Sequence, residues 1–158
     1  MERAELGAWR RSERQRLLAR RTGVPPAERR LWGQEIEMRL RLLLQERPGI
    51  TLGVYWPFQA EFDPRPLIDW LITAGSAVAL PAVVDKKGPL EYRAWRPGET
   101  LVDGVWNIPT PEKREVVVPQ AVLAPLVGFE LSLLETIHPQ DFDIPMDLIV
   151  TEAGVRRR

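Results

Sequence analysis

An α/β domain built on a mainly parallel sheet is what this sequence predicts, and three observations predict it. Segments with helical spacing of apolar residues alternate with short apolar runs of strand length, the order that layers helices against a parallel sheet. Ser76 to Val84 is a continuous apolar run, as in a strand covered on both faces. The 158 residues, 44% hydrophobic and 28% charged, suit one globular domain, and 15 prolines break it into many short elements. No internal repeat, low-complexity tract or linker divides it, so residues 1–158 are expected to form a single domain.

Residues 5–21 read as a helix with a sparse apolar stripe of Leu6, Trp9, Leu17 and Leu18. Thr22-Gly23 ends it, and Pro25-Pro26 opens a second helix, proline being tolerated in a first turn. That helix, 26–46, spaces Trp32, Ile36, Leu40 and Leu43 for one face and stops at Pro48-Gly49. Ile50 to Trp56 reads as a strand broken by Pro57. A short helix follows over 64–74, with Gly75 as its C-cap. After the 76–84 strand, Lys86 to Pro89 turns the chain and Leu90 to Trp95 forms another strand. Pro97-Gly98 is a turn, and 99–115 reads as irregular and proline-broken. Val116 to Val118 and Ala121 to Val127 read as buried strand material. Leu148 to Thr151 is a terminal strand, followed by a basic tail at Arg156, Arg157 and Arg158.

Composition narrows the chemistry. With no cysteine, the chain has no disulfide framework, thiolate–zinc site or cysteine nucleophile. A lone histidine, His138, argues against His-rich metal sites and a serine–histidine triad and reads as a surface loop residue. Lys+Arg 22 balances Asp+Glu 22, but residues 1–50 carry 12 Arg against 7 Glu. Arg outnumbers Lys by 19 to 3, so the basic end offers planar, bidentate donors for phosphate or carboxylate. A solvated, arginine-biased helix face is the plainer reading of the same residues. Neutral net charge and the lack of an aromatic–basic repeat argue against nucleic acid as partner. No signal peptide or membrane span is visible, and the chain is expected to be cytoplasmic, without a membrane partner.

Three clusters carry candidate chemistry. Arg10 and Arg14, four apart, share a helical face and form a clamp suited to phosphate. Tyr55 to Asp63 lies just past a strand's C-terminal end, where open α/β sheets bind ligands. Its aromatics and Glu61 suit a flat heterocycle with N–H donors; equally, the run packs aromatics into the core while Asp63 caps the next helix. Trp106 to Pro111 holds an aromatic in a stiff loop, as a site residue or a core anchor. Asp141, Asp143 and Asp147 contain the carboxylates a Mg²⁺ ion takes, though a polar loop before a strand accounts for them more simply.

In order along the chain, these segments resemble the 5-formyltetrahydrofolate cyclo-ligase family, also called methenyltetrahydrofolate synthetases. The resemblance rests on Trp9-Arg10, Arg14 and Ala19-Arg20-Arg21, then Tyr55-Trp56-Pro57 and Glu61-Phe62-Asp63. It continues through Leu80-Pro81, Trp106-Asn107-Ile108-Pro109, Asp143-Ile144-Pro145-Met146-Asp147 and Ile149 to Glu152. It implies a three-layer α/β/α fold and conversion of 5-formyltetrahydrofolate to 5,10-methenyltetrahydrofolate with ATP and Mg²⁺. It also implies that Arg10 and Arg14 bind ATP phosphates, and that Tyr55, Glu61 and Trp106 bind the folate. The family's glycine-rich ATP loop, with the helix and strand after it, is missing. Only Gly128 and Gly154 follow Gly104, and Val127-Gly128-Phe129 runs directly into Glu130-Leu131-Ser132. We therefore expect an internal deletion near 127–132, a fold truncated by a helix and a strand, and impaired activity. Phe142 stands where the family usually has histidine. The alternative is a catalytically inactive relative that retains folate or partner binding. Apolar surface laid bare by the deletion is expected to drive self-association through the exposed sheet.

Overall fold

The computed structural model describes residues 2–85, 88–124 and 127–158; the Trp106 side chain and the turn residues Lys86 and Lys87 lie outside the described residues. Three helices, α1 (Arg3–Gly23), α2 (Pro26–Leu44) and α3 (Arg65–Thr73), accompany a five-stranded sheet. Its strands are β1 (Thr51–Gly53), β2 (Ala77–Ala82), β3 (Glu91–Trp95), β6 (Val116–Val117) and β7 (Ala121–Val122), in the order β6-β3-β2-β1-β7. β1 pairs parallel with β2 and β7, while β3 runs antiparallel to β2 and β6. Four of the five strands therefore point one way and only β3 is reversed. The mixed α/β, mostly parallel class read from the sequence is the class observed.

Apolar spacing decides which face is packed. Leu52 pairs with Val78, and Val78 with Trp95, so these side chains share one face of the sheet. Ile36 and Leu40 of α2 and Leu67, Ile68 and Leu71 of α3 join that row and Leu80 in a single core cluster. Gly75, with φ +82°, ends α3 by giving its N–H to the Ile72 carbonyl. The opposite face carries a row of small residues, Gly53, Ala79 and Ala94. β6 and β7 sit at opposite edges with only Val118, Pro119 and Gln120 between them, so the connection crosses the sheet. A β-carbon on Gly53 would stand 2.7 Å from the Tyr92 ring and 3.2 Å from Pro119. The crossing therefore lies over this row, and the small residues make room for it.

Two expectations need correction. Val116 to Val118 and Ala121 to Val127 are not uniformly buried strand: among the described residues Val116, Val118 and Val122 are exposed, and strand is limited to the two-residue edge strands β6 and β7, with residues 125 and 126 outside the described residues. The segment 99–115 is not irregular either. It forms an antiparallel ribbon of β4 (Leu101–Asp103) and β5 (Pro109–Pro111), joined through the 3₁₀ turn Val105–Asn107. The basic tail likewise folds back, as β9 (Gly154–Arg157) paired with β8 (Leu148–Thr151) in a hairpin separate from the main sheet. Between β7 and β8, Phe129 is buried against Trp32 with ring centroids 5.3 Å apart, and the Gly128 N–H reaches the Val150 carbonyl at 3.4 Å. Glu152 receives the Glu130 N–H on both carboxylate oxygens at 3.0 Å, while Glu130 pairs with Arg156 and accepts the Thr151 hydroxyl. Chain 127–132 is thus tied directly to the terminal hairpin.

Candidate functional site

The loop after β1 is built from the strand end outward. Val54 closes the ladder by donating to Ala79, and Tyr55 turns inward, 6% exposed, its hydroxyl donating to the Phe62 carbonyl at 2.9 Å. Burial pushes the Tyr55 phenol above its ordinary range, and the nearby Glu61 carboxylate adds to this. Tyr55 thus supports the loop from beneath. Trp56 meets Trp95 edge-on at 5.9 Å and carries the Arg65 guanidinium 5.9 Å from its ring centre. Asp63 accepts the Arg65 N–H at 3.0 Å and pairs with the Arg65 side chain, so it serves the start of α3 as a cap would.

Between them the chain makes a tight turn over residues 58–61. Glu61 N–H donates to the Phe58 carbonyl at 3.1 Å, and Phe58 N–H donates to Glu61 Oε2 at 3.0 Å. Gln59 and Ala60 both have left-handed backbone, φ 46° and 61°, without being glycine or asparagine. Each such residue costs on the order of 1–3 kcal/mol and persists where surrounding contacts hold it. One such contact is Arg21 at the end of α1: its Nε donates to the Gln59 carbonyl at 3.0 Å, and its Nη2 lies 3.8 Å from Glu61 Oε1.

The Trp106 turn is held equally tightly. Gly104 N–H donates to the Ile108 carbonyl at 3.0 Å, Asn107 N–H donates back to Gly104 at 3.1 Å, and Asn107 takes φ 57°. Pro109 and Pro111 stiffen the exit, leaving Thr110 as the only N–H donor of β5.

α1 carries the arginines. Its first N–H, from Glu2, is received by the Glu5 carboxylate at 2.9 Å, and Arg20 and Arg21 sit in the last turn, where positive charge complements the helix dipole. Arg10, Arg14 and Arg21 are separated by four and seven residues and fall within about 40° of one another around the helix. Arg10 grips the C-terminal loop. It binds both Asp143 oxygens, at 3.4 and 2.6 Å, and donates to the Ile137 and His138 carbonyls at 3.2 and 3.0 Å. The hydrogen bond from Arg10, with a second from the Gln140 N–H, holds the Asp143 carboxyl below its ordinary range. Trp9 meets the His138 ring edge-on at 4.8 Å, closing the same contact. Arg14, between the two gripped loops along the helix, is exposed and has no hydrogen bond or ion pair among the described residues.

The structure therefore brings Arg10, Arg14 and Glu61 to one side of α1. Sequence reading gave no role to Arg21 or to the Arg10–Asp143 pair, whose partners stand 38 and 133 residues away in the chain. Among the described residues no group of three His, Asp or Glu side chains gathers as a metal site, and no helix is long and apolar enough to cross a membrane.

The fold has counterparts among known proteins. The solution structure of an Aquifex aeolicus 5,10-methenyltetrahydrofolate synthetase superimposes with a TM-score of 0.72 at 22% identity, covering 92% of this chain and 91% of that one. A Mycoplasma pneumoniae 5,10-methenyltetrahydrofolate synthetase matches with a TM-score of 0.48 at 20% identity, over 54% of this chain and 52% of that one. No curated protein sequence matches the chain. A family profile described as the 5-formyltetrahydrofolate cyclo-ligase family matches residues 6–132, which include α1 from Leu6 onward, the Glu61 turn and the Trp106 turn. On that match, the chain belongs to the 5-formyltetrahydrofolate cyclo-ligase family of ATP-dependent ligases.

Proposed function

We propose that the arginine stripe of α1, the 55–63 loop and the Trp106 turn together seat 5-formyltetrahydrofolate beside the triphosphate of ATP. The observation that carries this is the single stripe itself: an unpaired Arg14 stands between a loop held by Arg10 and a turn held by Arg21 that presents Glu61. The donors suit phosphate. Arg10 already takes a carboxylate bidentately, its Nε is buried with no partner among the described residues, and Arg14 is open. Arg10 exchanges Asp143 for a phosphate oxygen on binding. Glu61 Oε1, with no hydrogen bond among the described residues, accepts an N–H of the pterin, and Trp106 supplies an aromatic face.

ATP would phosphorylate the formyl oxygen with release of ADP, and attack of the second folate nitrogen on the formyl carbon would then expel that oxygen as inorganic phosphate. The chain's own residues then hold the formyl carbon against the attacking folate nitrogen, an orienting role worth several orders of magnitude in rate. Mg²⁺ would be carried by the triphosphate and water rather than by a protein cage, and would neutralise the charge on the phosphates. Without closely spaced glycines after Gly104, backbone N–H groups do not cradle the phosphates, so turnover is slow. The reaction runs in the cytoplasm, in one domain lacking the glycine-rich segment near 127–132.

A second reading, an inactive folate-binding relative, is favoured by the commitment of Arg10 to Asp143. The two part on one assay, the ATP- and Mg²⁺-dependent rise in 5,10-methenyltetrahydrofolate absorbance with purified protein. Slow turnover supports the ligase, and saturable folate binding without turnover supports the relative. Neither binding nor turnover contradicts both.

A further inference from the structure

Among the described residues, one side chain holds the turn at 58–61 from outside by hydrogen bonding. Two of its hydrogen bonds, Glu61 N–H to Phe58 and Phe58 N–H to Glu61 Oε2, are internal to it. The third comes from Arg21 Nε, which donates to the Gln59 carbonyl at 3.0 Å in the strained, left-handed part of the turn. Among the described residues no other outside side chain hydrogen-bonds residues 58–61. The same guanidinium faces Glu61 Oε1 at 3.8 Å, near enough for charge attraction and too far for a hydrogen bond. Glu61 is thus locked by Oε2 and oriented by a positive charge, with Oε1 left able to accept from a ligand. Both side chains are mostly covered, at 22% and 18% exposure, so solvent screens the pair only in part.

We propose that Arg21 is a positioning residue for folate: it fixes the strained turn through the Gln59 carbonyl and aims the Glu61 carboxylate at the pterin N–H donors. The proposal rests on the reading that Glu61 takes the folate. Arginine is required because one planar fork serves a carbonyl with Nε and a carboxylate with Nη2. Lysine keeps the charge and gives up the fixed geometry.

The test is calorimetric titration of 5-formyltetrahydrofolate into the full chain: wild type, Arg21→Met, Arg21→Lys, Glu61→Gln, and Arg21→Met combined with Glu61→Gln. Arg21→Met keeps the aliphatic stem and is expected to weaken binding about tenfold, the scale of one charge-assisted hydrogen bond. Arg21→Lys recovers part of that loss. In the Glu61→Gln background Arg21→Met adds little, because it acts through Glu61. Wild-type affinity in Arg21→Met overturns the proposal, as does a loss of full size in the double variant. If wild type itself shows no saturable binding, the folate reading fails and takes the proposal with it.

Discussion

At Gly104 a β-carbon would stand 2.5 Å from Thr110 Oγ1 and 2.8 Å from the Ile108 carbonyl oxygen, inside van der Waals contact with both. The backbone oxygen has little freedom to retreat, because it accepts the Gly104 N–H that closes the turn. Gly104→Ala is therefore expected to cost about 1–3 kcal/mol, measured by urea denaturation, and to lower folate affinity by moving the Trp106 turn. An unchanged stability would mean that the turn relaxes freely. Residues of this kind were only half legible in the sequence. Arg10, Arg14 and Glu61 stood out as residue types with a chemistry. Arg21 did not, since its partners Gln59 and Glu61 meet it only through the packing of α1 against the strand-end loop.

Elements were legible where packing follows spacing. Ile36 and Leu40, four apart, are both buried, as the helical period of α2 required. The β4–β5 ribbon was hidden by Pro109 and Pro111, which read as breakers although they occupy positions of a short ribbon that need no N–H. Strand β9 was hidden by its arginines, of which Arg156 pairs with Glu130, an acid distant in sequence. The contact between α1 and loop 137–143 makes a prediction of its own. Asp143 has its carboxyl held below the ordinary 3.8 by Arg10, so its contribution is present above that value and is lost as pH falls through the lowered one. The Gln140 amide, which donates to Asp143 Oδ2 at 2.9 Å, should lose hydrogen-exchange protection as the solution is acidified well below pH 3.8. Asp143→Asn should lower that protection at neutral pH. Protection that persists in both cases would show the loop to be held by something other than this pair.

On the scale of the whole molecule, the small domain leaves apolar surface uncovered. Val118 is 89% exposed and Ile144 82%, and Phe142 is exposed in the loop before β8. The edge strands β6 and β7 are two residues each, so they cover little of β3 and β1. We expect concentration-dependent self-association in sedimentation equilibrium, reduced by Phe142→Ser combined with Ile144→Ser. A monomer at every concentration would contradict it. The mostly parallel sheet was predictable from alternating helices and strands, whereas the crossing of residues 118–120 over Gly53 was not. That crossing depends on which edges β6 and β7 occupy, a property of the assembled sheet.

If folate sits against Glu61 at the end of the arginine stripe, its affinity depends on that carboxylate. The most direct measurement is the dissociation constant of 5-formyltetrahydrofolate from quenching of tryptophan fluorescence, in wild type and in Glu61→Gln. Saturable quenching is expected in wild type, with binding weakened about tenfold or more in the variant. Equal constants in the two proteins, or no saturable quenching in wild type, would contradict it.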